Sequence, residues 1–300
     1  MTLSDAIDAF LAYGDVCGHS PATRCTYSDV LARFRAATGL RDVADLTPRV
    51  IEEYLSALRK RVRPVSVHQA YRTLRTFTRW SIRTGLIAAD PMATLVMRVP
   101  KTLPRVPDDD AIRRLLATCA KTWEGCRNHV MIALFIDSGL RKEELRRLRW
   151  GDLDLSARRI HVRAGKGQKD GTTFFGETTA SLLRTWLAVH PTAVSTGPVC
   201  CTRDGMMLHS GTITHILHRL STKAGLQRKI GPHALRHYAA TALLRRTGDL
   251  DLVRRVLRHE SLAMTLRYAA LTQTEVAAKF LNASPLDRLR IRLKQHPIGR

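Results

Sequence analysis

Three prolines fall within the ten residues Arg98–Pro107, and they divide the chain. Each proline fixes its own φ, removes a backbone donor and pushes the residue before it toward extended backbone, so no regular helix runs through this stretch. Arg98, Lys101 and Arg105 punctuate it with charge, as in a solvated linker. The 300 residues are therefore expected to form two bodies, 1–97 and 108–286, joined by the linker 98–107 and followed by a basic tail, 287–300.

Both bodies carry helical periodicity. Ser20-Pro21 sets a capping hydroxyl and a first-turn proline before the stripe Tyr27, Val30, Leu31 and Phe34. Thr47-Pro48 repeats the signal before Ile51, Tyr54, Leu55 and Leu58, and a third helix is expected over 65–84 with Val67, Tyr71, Leu74 and Thr78 on one side. In the second body, helices are expected over 108–120, 125–139, 177–189, 210–224, 234–247, 249–258, 262–270 and 274–282. The alternation around Ile160 and Val162, the Gly-rich Ala164–Gly171 and then Thr172–Phe175 read as a β-hairpin. The expected fold is mostly α, with a small antiparallel sheet in the second body.

Charge narrows the function. Lys and Arg number 49 against 26 Asp and Glu, a formal net charge of +23, and 39 of the 49 are Arg. Such an excess on a folded chain calls for a polyanion, nucleic acid first, and Arg favours forked phosphate contacts over diffuse attraction. A solvated, Arg-rich surface with no such partner is the plainer alternative. The longest uncharged apolar runs, such as Val130–Ile136, fall far short of the ~20 residues of a membrane span. Six cysteines are too few for a disulfide scaffold, and Asp5 and Asp8 interrupt any signal-peptide pattern, which points to the cytoplasm and, with DNA as partner, the nucleoid.

Within the first body, Arg72, Arg75, Arg79 and Arg83 step by 3, 4 and 4 and so form one ridge. No acidic residue occurs from Leu55 to Ala89, whereas a merely solvated helix normally alternates sign. The ridge is expected to contact DNA phosphates and to supply affinity and register rather than base reading.

Five local patterns stand out in the second body, each with an ordinary explanation when taken alone. Gly139-Leu-Arg-Lys-Glu-Glu-Leu145 puts Arg141 just after a buried helix, where a lone arginine usually complements a helix dipole. Gly165-Lys-Gly-Gln-Lys169 puts Lys166 at a hairpin tip, commonly just a turn. His233-Ala-Leu-Arg-His237 sets His233 and Arg236 on one helical face; His233 with His237 has metal-ligand spacing but no supporting Glu or Cys-x-x-Cys. Leu257-Arg-His259 ends a helix with an imidazole, and Tyr268 follows nine residues later, where an aromatic is most often half-buried packing.

In this order the five resemble the tyrosine recombinase (integrase) family, whose pattern runs Arg, Lys, His-x-x-Arg, His or Trp, then Tyr. Arg141, Lys166, His233, Arg236, His259 and Tyr268 each match an element of it. Ser20-Pro-x-Thr23 and Gly85-Leu-Ile-x-x-Asp-Pro91 also look like the core-binding domain of Xer-type members, so the resemblance covers roughly residues 2–282. It implies a helical, SAM-like core-binding domain and an α+β catalytic domain. It further implies site-specific recombination of double-stranded DNA by four protomers cleaving in alternate pairs. One departure concerns Arg258, where the family commonly has Gly; the chain is then expected to turn there with an ordinary φ, shifting His259 slightly.

The chemistry suits these side chains. Attack on a phosphodiester builds negative charge on its non-bridging oxygens, which the forks of Arg141 and Arg236 would stabilise. No Asp/Glu cluster suggests a two-metal site, so neither metal nor other cofactor is expected. Tyr268 would be the nucleophile, His233 its proton acceptor, and Lys166 the proton donor to the departing 5′-hydroxyl. His259 would hydrogen-bond a phosphate oxygen. The product is a 3′-phosphotyrosine, formed without ATP because the ester bond is conserved. The terminal helix 274–282, with Val276, Phe280 and Leu281 on one side, is a candidate to dock on a neighbouring protomer or to pack on its own domain. Two other functions fit part of the pattern: a type IB topoisomerase-like strand transferase, and a catalytically silent, architectural DNA-binding protein.

Overall fold

The computed structural model describes residues 1–98, 105–163, 170–259, 265–266 and 268. The chain separates into two compact units, Met1–Lys101 and Thr102–Arg300. Lys166, the terminal helix expected at 274–282 and the tail 287–300 lie outside the described residues, as does most of the linker.

The first unit is helical: α1 (Leu3–Val16), α2 (Pro21–Thr38), α3 (Pro48–Arg59) and α4 (Pro64–Arg83). The capping signals act as the sequence implies. Ser20 accepts from the Thr23 N–H and Thr47 from the Val50 N–H, each followed by proline in the first turn, and such a cap contributes ~1 kcal/mol. The helix α1, which carries no proline start, is capped by Thr2. Phe10, Leu31, Phe34, Ile51, Leu74 and Phe77 meet in the core, with Phe10 edge-on to Phe77 at 5.4 Å.

Val67, Tyr71, Leu74 and Thr78 of α4 are buried as expected, and Arg72, Arg79 and Arg83 are exposed. Arg75 departs from the ridge. It is half-buried, donating from Nη1 to the Tyr71 hydroxyl at 2.6 Å with its guanidinium over the Tyr71 ring, and Tyr71 in turn donates to the Leu95 carbonyl. The 3-4-4 spacing puts four arginines on one side of a helix; whether each reaches solvent depends on the aromatic one turn away.

The second unit opens with α5 (Asp109–Ala117) and α6 (Trp123–Ser138), followed by the short α7 (Lys142–Arg147). A three-stranded antiparallel sheet comes next, β1 (Leu153–Asp154), β2 (Arg159–Val162) and β3 (Gly171–Phe174) in that order, with Arg159 opposite Phe174 and Val162 opposite Gly171. The hairpin stands where the alternation put it, its second strand one residue earlier. The two-residue β1 is too short to show a period, so no spacing in the sequence marks it; Asp154 holds its turn by accepting from Ser156 and Ala157.

The unit closes with α8 (Glu177–Val189), α9 (Ser210–Lys223), α10 (Pro232–Thr247) and α11 (Leu250–Leu257). Helix α6 is central: Val130, Met131, Ile132, Leu134 and Phe135 are buried, and it packs on both α8 and α10. A separate small cluster, Ala240, Leu244, Val253, Leu257 and Tyr268, fastens α11 and Tyr268 onto α10. Thr265, Leu266 and Tyr268 are helical. No helix among the described residues is long and apolar enough to cross a membrane.

Candidate active site

Three helix ends converge on one region of the second unit. The first is the C-terminus of α6. Gly139 takes the left-handed conformation there, with φ +58, and turns the chain so that buried Leu140 leads into Arg141. A Cβ on Gly139 would also lie 2.2 Å from Leu257 Cδ2, so this turn is kept bare for close packing as well as for its φ. Arg141 is the N-cap of α7, and Glu144 reaches back to it twice. Its Oε2 accepts from the Arg141 N–H and its Oε1 from Arg141 Nη1, both at 2.7 Å. Glu144 is therefore at once the helix cap and the anchor of the guanidinium.

The second end is the N-terminus of α10, where Gly231-Pro232 starts the helix and places His233 and Arg236 on one face. Arg236 is 6% exposed. Its Nη1 donates to the Gly139 carbonyl and its Nη2 to the Leu257 carbonyl at 2.5 Å. Those carbonyls are orphan acceptors at the C-terminal ends of α6 and α11, where a cation is favoured, so one side chain ties three helices together. Burial, and then the nearby charge of Arg141, push the Arg236 guanidinium down to about 10, partly offset by Glu144 and by Tyr268. A buried guanidinium, Arg236, and a half-buried one, Arg141, near enough to feel each other's charge make a site whose electrostatics improve when an anion enters.

His233 is exposed to solvent, with part of its ring packed against the helix ends. Packing around the ring, then the charges of Arg236, Lys142 and Arg141, hold its pKa below the ordinary imidazole value. It is thus neutral at neutral pH.

The third end is the C-terminus of α11. Here Arg258 takes φ +53 and ψ +49, against the expectation of an ordinary φ. The reason is the helix stop. The Arg258 N–H bonds the Arg255 carbonyl and the His259 N–H the Arg254 carbonyl, both at 3.0 Å, a Schellman closure that requires a left-handed residue at this position whatever its side chain. For a residue with a Cβ this costs ~1–2 kcal/mol. The Arg258 side chain pairs with Glu144.

His259 is buried, its Nδ1 2.8 Å from the Thr265 hydroxyl, and its ring stacks on Tyr268 with centroids 6.2 Å apart and planes 10° apart. Tyr268 is 2% exposed. Its phenolic oxygen lies 2.8 Å from His237 Nδ1.

Of the six residues singled out in the second body, Arg141, His233, Arg236, His259 and Tyr268 come together from segments far apart in sequence, and Lys166 lies outside the described residues. Two partners carry no assignment from the sequence. Glu144 was visible only as the second Glu of the Gly139–Leu145 pattern, and a helix N3 carboxylate was its available signal. His237 has only its four-residue step from His233, a metal-ligand spacing without supporting ligands; its ring meets the phenol. Among the described residues no group of three or more His, Cys, Asp or Glu could hold a metal ion.

The description "Phage integrase family" matches residues 105–275, and "Phage integrase, N-terminal SAM-like domain" matches residues 7–87. The chain is similar to Tyrosine recombinase XerC of Xanthomonas campestris pv. campestris (strain B100), 30% identical over 290 residues, covering 95% of this chain and 89% of the relative. It is also similar to Tyrosine recombinase XerC of Mycobacterium sp. (strain KMS), 33% identical over 297 residues, covering 94% of this chain and 98% of the relative. A lambda integrase tetramer bound to a Holliday junction shares the fold with a TM-score of 0.77 at 17% identity, over 89% of this chain and 77% of that one. XerH site-specific recombinase bound to its palindromic difH substrate shares it with a TM-score of 0.72 at 20% identity, over 90% and 81% of the two chains. The match to the catalytic family description runs through the converging helix ends, and with relatives 30% or more identical across nearly the whole chain it makes this protein a member of the phage integrase family, the tyrosine recombinases.

Proposed function

We propose that this recombinase cleaves and rejoins double-stranded DNA at specific sites, with Tyr268 attacking the scissile phosphate and Arg141 and Arg236 holding it. The observation that carries this reading is buried Arg236, beside Arg141, donating to the carbonyl of Leu257, a residue packed in one cluster with the Tyr268 ring. Arg236 has five N–H donors, and its two hydrogen bonds to helix-end carbonyls leave others for phosphate oxygens. Fixed donors of this kind lower the barrier because they need no reorganisation as charge develops, and losing one costs ~3–4 kcal/mol.

The phenolic proton has two imidazoles to leave to. His237 stands on the phenolic oxygen, and His233, neutral at neutral pH, stands beside the guanidiniums. His259 stacks against the attacking ring and is proposed to donate to a phosphate oxygen. Lys166 is proposed to protonate the departing 5′-hydroxyl. The bond formed is Tyr268 Oη to phosphorus and the bond broken is phosphorus to the 5′-oxygen, giving a 3′-phosphotyrosine and a free 5′-hydroxyl. The reverse attack by a 5′-hydroxyl of another strand completes exchange.

Arg72, Arg79 and Arg83 are proposed to grip DNA phosphates, with Arg75 set back against Tyr71. Four protomers on two DNA sites, coupled through the segment 274–282, are proposed for the working assembly, and the cytoplasm, at the nucleoid, for its place of action. The test is Tyr268→Phe on a nicked suicide substrate: DNA binding stays at the wild-type level and no covalent adduct forms. An adduct from the variant overturns the assignment. Strand exchange between two labelled sites, rather than plasmid relaxation alone, distinguishes a recombinase from a topoisomerase-like strand transferase.

A further inference from the structure

Glu144 faces two arginines, not one. Its Oε1 accepts from Arg141 Nη1, and its Oε2 accepts from the Arg141 N–H and from Arg258 Nη2. Arg258 also meets Arg141 directly, because its carbonyl lies 3.4 Å from Arg141 Nη2. The side chains of Glu144 and Arg258 are 6% and 13% exposed, so little water screens them from each other. Burial works to raise the Glu144 carboxyl, but Arg258 and Arg141 outweigh it and hold its pKa below the ordinary carboxylate value. The place for Arg258 is built: a Cβ at Gly171, the first residue of β3, would lie 2.6 Å from Arg258 Cδ.

We infer that Arg258 is a positioning residue that shares the Glu144 carboxylate and so keeps the charge of Arg141 available for the phosphate. One carboxylate against one guanidinium cancels it; against two, it leaves a net positive charge. Without Arg258, the buried Glu144 would turn its full demand on Arg141, and a fork-to-carboxylate alignment would occupy the donors a phosphate needs. The left-handed backbone sharpens the point. Glycine would satisfy φ +53 without strain, and the chain carries arginine there. The inference rests on the reading of Arg141 as a phosphate ligand.

The test is single-turnover adduct formation at saturating DNA by wild type, Arg258→Gly, Glu144→Gln and the double variant, with DNA affinity and melting temperature measured alongside. Glycine keeps the helix stop and so isolates the side chain. Arg258→Gly is expected to slow cleavage by about tenfold or more, the scale of losing one charge-assisted partner, while affinity changes less than about threefold. Adding Glu144→Gln, which keeps an acceptor for the Arg141 N–H but removes the charge, is expected to recover cleavage to at least the rate of Glu144→Gln alone. A merely structural role gives no such recovery, and slowing would follow the fall in melting temperature. Wild-type cleavage by Arg258→Gly, or slowing that persists with Glu144→Gln, overturns the inference. No adduct from wild type overturns the reading of the site itself.

Discussion

The imidazole of His233 sits among three cations, and the pH at which the site works follows from that crowding. With its pKa held below the ordinary 6.5 by packing and then by Arg236, Lys142 and Arg141, the ring is neutral and able to accept a proton throughout the neutral range. Adduct formation at subsaturating DNA, which reports the free protein, should stay level from neutral pH down to about 6.5 and fall only below it. The limb should disappear or move in His233→Ala; a limb above 6.5, or one unchanged in that variant, would show that another group accepts the proton. The sign for stability runs the same way: a depressed imidazole pKa in the folded chain gives a contribution present above the unfolded value and lost as pH falls through the folded one. At this scale the candidate groups were legible in the sequence as residue types, because the proposed phosphate chemistry needs guanidinium, imidazole and phenol and few other residues supply them. Their partners were not. Glu144, His237 and the left-handed Arg258 owe their roles to contacts across the fold, and no local spacing carries that information.

Among the helices, the starts were more legible than the faces. Ser20-Pro21 and Thr47-Pro48 mark helix starts because a hydroxyl and a proline satisfy the same orphaned first turn, and both helices begin there. The arginine ridge of α4 was legible as a spacing but not as a surface, since the Tyr71 hydroxyl and ring draw Arg75 inward. This separates two experiments. Arg72→Ala with Arg79→Ala should weaken binding about equally for all DNA sequences and shrink the log–log salt slope by roughly two. Arg75→Ala alone should leave that slope nearly unchanged and instead lower the melting temperature of the first unit, where Arg75 holds Tyr71. Equal slope changes per residue in both variants would place Arg75 on the DNA after all. The short α7 and β1 escaped notice for another reason. Six and two residues are too few to display a period, and both are held by side-chain caps, Glu144 and Asp154.

For the whole molecule, the net charge of +23 and the division at the proline-rich stretch were set by composition and backbone restriction, which need no knowledge of contacts. What composition could not convey is that the ends of α6, α10 and α11 meet, and that buried Arg236 is the tie between them. On the proposed function, that meeting is what would let residues spread from Arg141 to Tyr268 act on one phosphate. The central claim is that the Tyr268 oxygen becomes bonded to that phosphate. Trapping the wild-type protein on a nicked suicide substrate, digesting it with trypsin and sequencing the DNA-bearing peptide by mass spectrometry tests this directly. The account predicts a 3′-phosphoryl adduct on Tyr268, within the peptide running from residue 268 to Lys279, and a free 5′-hydroxyl on the other DNA end. An adduct on any other residue, or one linked through a 5′-phosphate, would contradict it.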